Sequence, residues 1–263
     1  MRVLILLLAL LATPAIAQTR QVTGVEAHEG AFRVSLSDGT MREREALAGM
    51  VLVYQQGDQR IRIRIRIAGI RQDPTDTTGR RLLHDFRDAA TAEPLCQPAP
   101  DGTREGFPIA GRADATGAIS MAEPGAFEIV CTSGAQGKCV RFGYGPWQSQ
   151  PDGASMAEIY NACIHMVRGD YCGLGEGTTR DGMSIDLYDI HAIQKPENSP
   201  SQAFEAGWGP HGAVCVRHVR VKENTSLERL AATCPRLAGK LGEGCTEASA
   251  RAAGAKLFNR STP

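Results

Sequence analysis

The sequence shows no charge imbalance, few aromatic residues and no long hydrophobic segment. Its 29 basic and 29 acidic residues give a formal net charge of zero, and aromatic side chains make up 5% of the chain. A neutral chain has no general attraction to nucleic acid or to an anionic membrane, so only a local patch of one sign can supply it. No segment reaches the ~20 apolar residues that a membrane-spanning helix needs. We therefore expect no nucleic-acid partner and no transmembrane segment after signal cleavage.

The common motifs of catalysis and cofactor binding are also missing. There is no H-E-x-x-H, no G-x-S-x-G, no phosphate-binding glycine loop and no C-x-x-C. The stretch Gly173-Leu-Gly-Glu-Gly177 has only a G-x-G in common with a dinucleotide loop, and it follows a predicted helix rather than a strand. We expect neither a cofactor nor a metal, and the sequence favours a role other than catalysis.

The first residues have the order of a secretory signal. Arg2 supplies the positive charge, Val3 to Leu11 is apolar, and Ala15-Ile-Ala17 is a small-residue cleavage site before Gln18. A membrane anchor is the alternative, but the apolar run falls well short of ~20 residues. We expect residues 1–17 to be a signal peptide and the mature protein to be periplasmic or secreted.

Eight cysteines lie after the signal, and an even number in an exported chain predicts disulfides. They allow 105 pairings, among which Cys131–Cys139 and Cys234–Cys245 are short local pairs. The alternatives are a zinc site, disfavoured because there is no C-x-x-C, and a catalytic thiol, disfavoured because each cysteine has a potential partner. The cysteines are Cys96, Cys131, Cys139, Cys163, Cys172, Cys215, Cys234 and Cys245.

Alternation of apolar and polar residues predicts strands in the first half. Phe32 to Leu36 alternates, Met50 to Tyr54 is a short apolar run, and four Ile alternate with four Arg over residues 60–67. Phe127 to Phe142 reads as a hairpin with a cysteine at each end. The predicted fold is α+β, with a β-rich region at residues 18–80 before a helix-containing, disulfide-stabilised part at residues 82–263.

Period two places the four arginines on one face of a strand. We call this row, Arg60, Arg62, Arg64 and Arg66, the arginine face. It is a candidate anion-binding surface for lipid headgroups or an anionic polysaccharide. The alternative is an ordinary solvated face, or an edge strand whose charges prevent edge-to-edge pairing.

The second half reads as more helical. Ser155-x-x-Glu158 has the capping-box pattern, and apolar residues from Met156 to Val167 recur at helical spacing up to Gly169. We also expect a strand over residues 213–221 and short helices over 226–234 and 246–257.

One part of this region resembles a known family. The stretch Cys163-Ile-His-Met-Val-Arg-Gly-Asp-Tyr-Cys172-Gly173 is similar to the signature of the ADYC domain, a bacterial family named for an Ala-Asp-Tyr-Cys motif. Segments from Cys131 to Trp147 and from Thr179 to Cys215 extend the likeness, and we expect the ADYC-like domain to cover residues 82–263. Gly169 stands where the name has Ala. The resemblance implies an exported bacterial protein and supplies no activity, with the motif at Gly169, Asp170, Tyr171 and Cys172.

Scattered polar residues leave rival hypotheses open. Asp181, Asp186 and Asp189 gather carboxylates that suit a calcium ion, although Asp is also a common turn residue. His211 and His218 flank Cys215, yet a cystine is the simpler expectation for that thiol than a catalytic dyad. His165 is expected at the surface or in a hydrogen bond.

Trp147 and Trp208 lie beside glycines and turns. They line either a groove for sugar or peptide or the core around the cystines.

The leading hypothesis from the sequence is an exported binding or structural module with an unidentified envelope or extracellular partner, an anionic one if the arginine face binds it. The alternatives are an exported hydrolase with a site built from dispersed Asp and His residues, and a secreted protease inhibitor. For the inhibitor, the expected exposed loop is Thr132 to Lys138.

Overall fold

The computed structural model describes residues 20–56, 61–123 and 125–263. The signal peptide expected at residues 1–17 and Arg60 lie outside these residues, as does the side chain of Arg62. The described chain combines antiparallel sheets with short helices, which confirms the α+β fold class.

A three-stranded sheet opens the fold and confirms the first predicted strand. It contains β1 (Val22–His28), β2 (Ala31–Leu36) and β3 (Met41–Glu43), in that order. Phe32, Val34 and Leu36 are buried, as their alternation predicts.

A five-stranded sheet packs its inner face on the first. Its order is β10-β7-β6-β5-β4, made of β4 (Val51–Gln56), β5 (Ile61–Gln72), β6 (Leu82–Asp88), β7 (Gly106–Ala110) and β10 (Phe127–Cys131). A small hairpin of β8 (Arg112–Ala113) and β9 (Ile119–Ser120) joins β7 to β10. Ile65 and Ile67 point into the core with Phe86, whereas Arg64 and Arg66 are exposed. For these four residues the predicted two-sided strand is confirmed.

The hairpin predicted for residues 127–142 is wrong after Cys131. Residues Ala135–Arg141 form helix α1 instead of a returning strand. A Cβ on Gly137 would lie 2.2 Å from the carbonyl oxygen of Cys131, so the glycine lets the first turn of α1 sit directly on the end of β10. This close approach is tertiary, and the apolar pattern of Cys139, Val140 and Phe142 does not reveal it.

The long helix of the second half is confirmed, but its predicted cap is wrong. Helix α2 spans Ala157–Arg168 and ends at Gly169, which has a left-handed φ of 65°. The Ser155 hydroxyl accepts a hydrogen bond from the Ala157 N–H at 3.2 Å, and the Glu158 carboxylate binds Lys256 at 2.6 Å. Glu158 is therefore engaged with a distant lysine rather than with the helix start.

A four-stranded sheet and two short helices complete the fold. The sheet has the order β11-β14-β12-β13, with β11 (Asp186–Asp189), β12 (Ala203–Gly209), β13 (Gly212–Val216) and β14 (Leu257–Ser261). Helix α3 (Leu227–Thr233) is capped by Ser226, within the predicted helix over 226–234, and α4 is Glu247–Ala252.

Two predicted elements in this region are too long. The strand predicted over residues 213–221 ends at Val216, and the helix predicted to residue 257 ends at Ala252. Gly254, with φ of 89°, turns the chain back so that Leu257 starts a strand between β11 and β12.

All eight cysteines form disulfides, but neither predicted local pair does. The bridges are Cys96–Cys131, Cys139–Cys163, Cys172–Cys234 and Cys215–Cys245, with sequence separations from 24 to 62 residues. Cys139 lies on α1 and Cys163 on α2, so this bridge joins the two helices. Each bridge ties together different elements, which nearest-neighbour pairing could not foresee.

His84 is an unusual member of the core between the first two sheets. It is fully buried on β6, stacked on Phe86 at 5.4 Å between ring centroids, and its ring nitrogens have no hydrogen-bond partner among the described residues. Burial lowers its pKa from 6.5 to about 4, because an imidazolium there would lose its hydration.

We expect His84 to make stability fall in mild acid. Between pH 6.5 and pH 4 the unfolded chain binds one proton more than the folded protein, so the free energy of unfolding drops by about 3 kcal/mol across that window. Urea unfolding at pH 7 and pH 4.5 measures the drop, and His84→Leu should remove most of it. His211→Leu, at an exposed position, is the control and should keep the pH dependence of the parent. An unchanged drop in His84→Leu contradicts the assignment.

Candidate functional site

In the motif segment at the end of α2, residues 169–171 are buried, and the side chains of Asp170, Tyr171 and Cys172 are all bonded to other parts of the protein. A Cβ on Gly169 would lie 2.9 Å from the Thr178 hydroxyl, and the backbone there is left-handed, so glycine suits the position. Asp170 bonds His165 Nδ1 at 2.9 Å and accepts backbone N–H groups from Gly173 and Gly175. Burial alone would raise the pKa of Asp170, but these hydrogen bonds outweigh it and hold the pKa below its usual value. His165 is therefore the hydrogen-bonded of the two alternatives.

Tyr171 connects the motif to the four-stranded sheet. Its ring stacks on Trp208 at 5.3 Å, its hydroxyl donates to Glu205 at 2.9 Å, and the same hydroxyl accepts the Arg220 N–H at 3.1 Å. The next residue, Cys172, is cross-linked to Cys234. The motif is thus a structural joint between α2, β12 and the segment after α3.

A buried ion pair lies at the centre of this joint. The side chains of Glu205 and Arg220 are both 0% exposed and meet at 2.8 Å. The side-chain amide of Asn259 donates through Nδ2 to Glu205 at 2.7 Å and accepts the Trp208 indole N–H through Oδ1 at 2.8 Å. Burial opposes the ionisation of Glu205, yet the Arg220 charge prevails and lowers the pKa of the carboxyl. The carboxylate binds protein groups on every side and has no route to a ligand.

Sequence reasoning missed this pair. Arg220 stands between the apolar Val219 and Val221, and Glu205 stands within Phe204-Glu-Ala-Gly-Trp208. A charge inside an otherwise apolar segment is the available signal, because such charges are buried only when paired.

The predicted carboxylate cluster does not converge. Asp186 accepts the Glu197 N–H at 3.0 Å, Asp189 accepts the Tyr144 hydroxyl and the Gln194 N–H at 2.9 and 2.7 Å, and Asp181 is exposed. Each of the two buried carboxylates therefore organises a loop. Within residues 20–56, 61–123 and 125–263, no group of three His, Cys, Asp or Glu side chains is placed to hold a metal ion.

The residues on which the thiol and inhibitor hypotheses depend are bonded or buried. Cys215 is bonded to Cys245, and the neighbouring His218 contacts the Ser261 hydroxyl at 3.1 Å. Thr132 is buried, and the expected exposed loop up to Lys138 largely forms the first turn of α1. Both arrangements leave these residues in structural roles.

The two tryptophans have different surroundings. Trp208 is in the core, whereas Trp147 is half-buried and lines a groove of about 660 Å³. A Cβ on Gly30 or Gly145 would lie 2.6 or 2.8 Å from the Trp147 ring, so its indole packs on the backbone at both places. Trp147 thereby joins the β1–β2 turn to the helical part of the molecule.

The rest of this groove is polar. Arg81 and Arg141 stand at its wall and both pair with the buried Asp73, at 2.9 and 3.4 Å. Thr77 and Gln148 add a hydroxyl and an amide to the lining. The volume and chemistry are those of a site for a small polar molecule, but Arg81 and Arg141 are already paired with acidic neighbours.

The arginine face has a different electrostatic character. Arg64 and Arg66 are exposed on β5, and neither forms an ion pair with any carboxylate in the described residues. On the next strand Arg87 pairs with Asp85 at 3.0 Å. Arg33 on β2 and Arg71 near the end of β5 have glutamate partners. The side of the sheet that is covered by α1 and α2 at β7 and β10 is open at β4 and β5. The result is an open positive surface beside β4 on the five-stranded sheet.

Comparison with known proteins supports one relationship. The family model of the ADYC domain matches residues 44–222, which include β4, β5, the motif segment and the Glu205–Arg220 pair. No curated protein and no solved structure matches the chain. In the part of the chain that the structure describes, no helix is long and apolar enough to cross a membrane.

Proposed function

The chain belongs to the ADYC domain family, and on that premise we propose that it is an exported binding module that holds an anionic partner on its arginine face. In this proposal residues 1–17 are the signal peptide, residues 18–80 present the arginines, and residues 82–263 form the disulfide-stabilised part. The module works in the periplasm or outside the cell and needs no cofactor.

The disulfides and the leader sequence support the location. Four cystines persist in an oxidising compartment and are reduced in most cytosols. The charged, apolar and small-residue order of residues 2–17 is the signature of an export signal.

The unpaired arginines are the observation that carries the binding role. Arg64 and Arg66 are exposed on one face of β5 without a carboxylate partner among the described residues, in a chain of zero net charge. A local positive surface attracts an anionic partner and repels cations, whereas the neutral remainder contributes no long-range field. The hydrolase alternative lacks a comparable observation, because Asp186 and Asp189 bind loop N–H groups and Asp181 does not converge with them. The inhibitor alternative lacks one because Thr132 is buried and residues 135–138 belong to α1.

We expect the arginine face to bind a polyanion in a salt-dependent way. Fluorescein-labelled dextran sulfate, titrated with the mature protein and followed by anisotropy, should bind at low salt and weaken steeply as salt is added. Arg64→Gln together with Arg66→Gln should weaken binding at least tenfold, or about 1.4 kcal/mol. The control is Arg104→Gln with Arg229→Gln, which removes two exposed arginines away from the face and should bind like the parent. Equal binding by the two double variants contradicts the proposal, as does a parent that does not bind.

A further inference from the structure

We propose that β4 is a docking edge at which an extended, acidic segment of a partner protein joins the five-stranded sheet as a further strand. The inference rests on the proposed function, because it names the class of anionic partner that the arginine face would hold.

Strand β4 is the last strand of the five-stranded sheet. Among the described residues it pairs with β5 alone, from Val51↔Arg66 to Gln56↔Ile61. No other strand of the described residues lies on the outer side of β4. An uncovered edge presents unpaired backbone groups to any extended chain.

The backbone groups of Val51 and Val53 on β4 face away from the sheet. The Arg64 carbonyl accepts the Ala89 N–H at 2.9 Å, so it points toward the β6 side of the sheet. Successive residues of a strand point their N–H and C=O groups to opposite sides. The N–H and C=O groups of Ile65 therefore point toward β4, where Ile65 pairs with Leu52. Since Val51 and Val53 flank Leu52, their N–H and C=O groups point outward, away from the sheet.

The surface beside that edge carries exposed valines next to arginines. The side chains of Val51 and Val53 are 38% and 64% exposed. The register places Val51 opposite Arg66 and Val53 opposite Arg64, so valines and arginines share one face. Neighbouring strands lie about 4.8 Å apart, and a glutamate on an added strand can therefore meet an arginine across β4. The face offers apolar contact next to the edge and positive charge one strand further in.

These features select the partner. Natural edges are commonly protected by Lys or Pro on the edge strand itself, but Val51-Leu-Val53 has neither. A second copy of this chain would bring its own arginine face alongside, and the like charges would repel. A sulfated polysaccharide can meet the arginines but has no peptide backbone with which to continue the ladder of N–H and C=O pairs along β4. An acidic peptide in extended form satisfies both.

The test combines a peptide probe with a substitution that removes one outward N–H. The probe is a fluorescein-labelled peptide of four Val-Glu repeats, titrated with the mature protein. Val53→Pro deletes the N–H that points outward and leaves the pairing with β5, since proline is accepted on edge strands. Val53→Thr is the matched control, because it keeps the N–H and the β-branched shape.

We expect Val53→Pro to bind the peptide at least tenfold more weakly than the parent, and Val53→Thr to bind within about twofold of it, with dextran sulfate binding unchanged in both. Equal binding of the peptide by Val53→Pro overturns strand addition. If Val53→Pro does not fold, the parent is titrated with a peptide N-methylated at alternate residues in either register. Undiminished binding of both methylated peptides then overturns the inference.

The two proposals fail in different ways. A parent that binds dextran sulfate through Arg64 and Arg66 but not the peptide overturns the docking edge and leaves the anion-binding role intact. Dextran sulfate binding that does not depend on these arginines overturns the proposed function, and this inference with it.

Discussion

Glu205→Gln is expected to lower the free energy of unfolding by about 3–5 kcal/mol. The substitution keeps the size of the side chain but leaves the Arg220 guanidinium, which is 0% exposed, without its counter-charge. A buried charge that loses its partner retains the cost of desolvation and loses the compensating attraction. The Tyr171 hydroxyl and the Asn259 amide would also lose a charged acceptor.

Urea unfolding of the variant and its parent at pH 7 measures the effect. Glu243→Gln is the matched control, because Glu243 pairs with Arg217 but its side chain is 92% exposed, and its loss should change stability by less than about 1 kcal/mol. A similar, small change in both variants would mean that the buried pair contributes no more than a surface pair.

Reduction of the four disulfides is expected to unfold the protein at neutral pH. For Cys139–Cys163, which closes a loop across 24 positions, the loop-closure entropy corresponds to about 3.5 kcal/mol. The other bridges close longer loops, so the four together are of the same order as the total stability of a typical protein, about 5–15 kcal/mol.

Near-UV circular dichroism, which reports the fixed surroundings of Trp208, should lose its signal in dithiothreitol and keep it in the same buffer without reductant. Cys139→Ala with Cys163→Ala gives a graded comparison: this variant should stay folded and lose about 3.5 kcal/mol. A protein whose eight thiols have all been alkylated after reduction and which still shows the native signal would contradict the expectation.

Local rules predicted much of the fold. Alternation identified β2 and β5, and the helical spacing that ends at Gly169 identified α2, because each signal is complete within a few residues. The strand prediction for Ala135–Arg141 is wrong because it rests on the strand-forming residues Val140 and Phe142. The close approach of Gly137 to Cys131, which accompanies the helix, is a tertiary contact that local composition does not reveal.

The nonlocal features were beyond these rules. Cys172 and Cys234 are 62 positions apart, and the residues around each cysteine do not indicate which other cysteine it bonds. The sequence pattern of Asp186 and Asp189 suits cation ligands, yet both carboxylates accept backbone N–H groups of nearby loops. Aspartate serves in turns and in metal sites through the same two oxygens, so composition cannot distinguish the two uses.

The placement of Arg64 and Arg66 on one face of β5 was predictable, but their surroundings were not. Period two placed the arginines together, and the structure adds that Val51 and Val53 lie beside them at an uncovered edge. Whether a charged strand is central or next to an edge depends on sheet order, which hydrophobic pattern alone does not determine.

The position of β14 bears on the order in which the chain can fold. Strands β11 and β12 have no direct contact as sheet neighbours; residues 257–261 lie between them. A chain that emerges with its N-terminus first can pair β1 with β2 at once. The four-stranded sheet stays incomplete until residues 257–261 have emerged, so the part of the molecule that this sheet organises closes later than the β1–β2 hairpin.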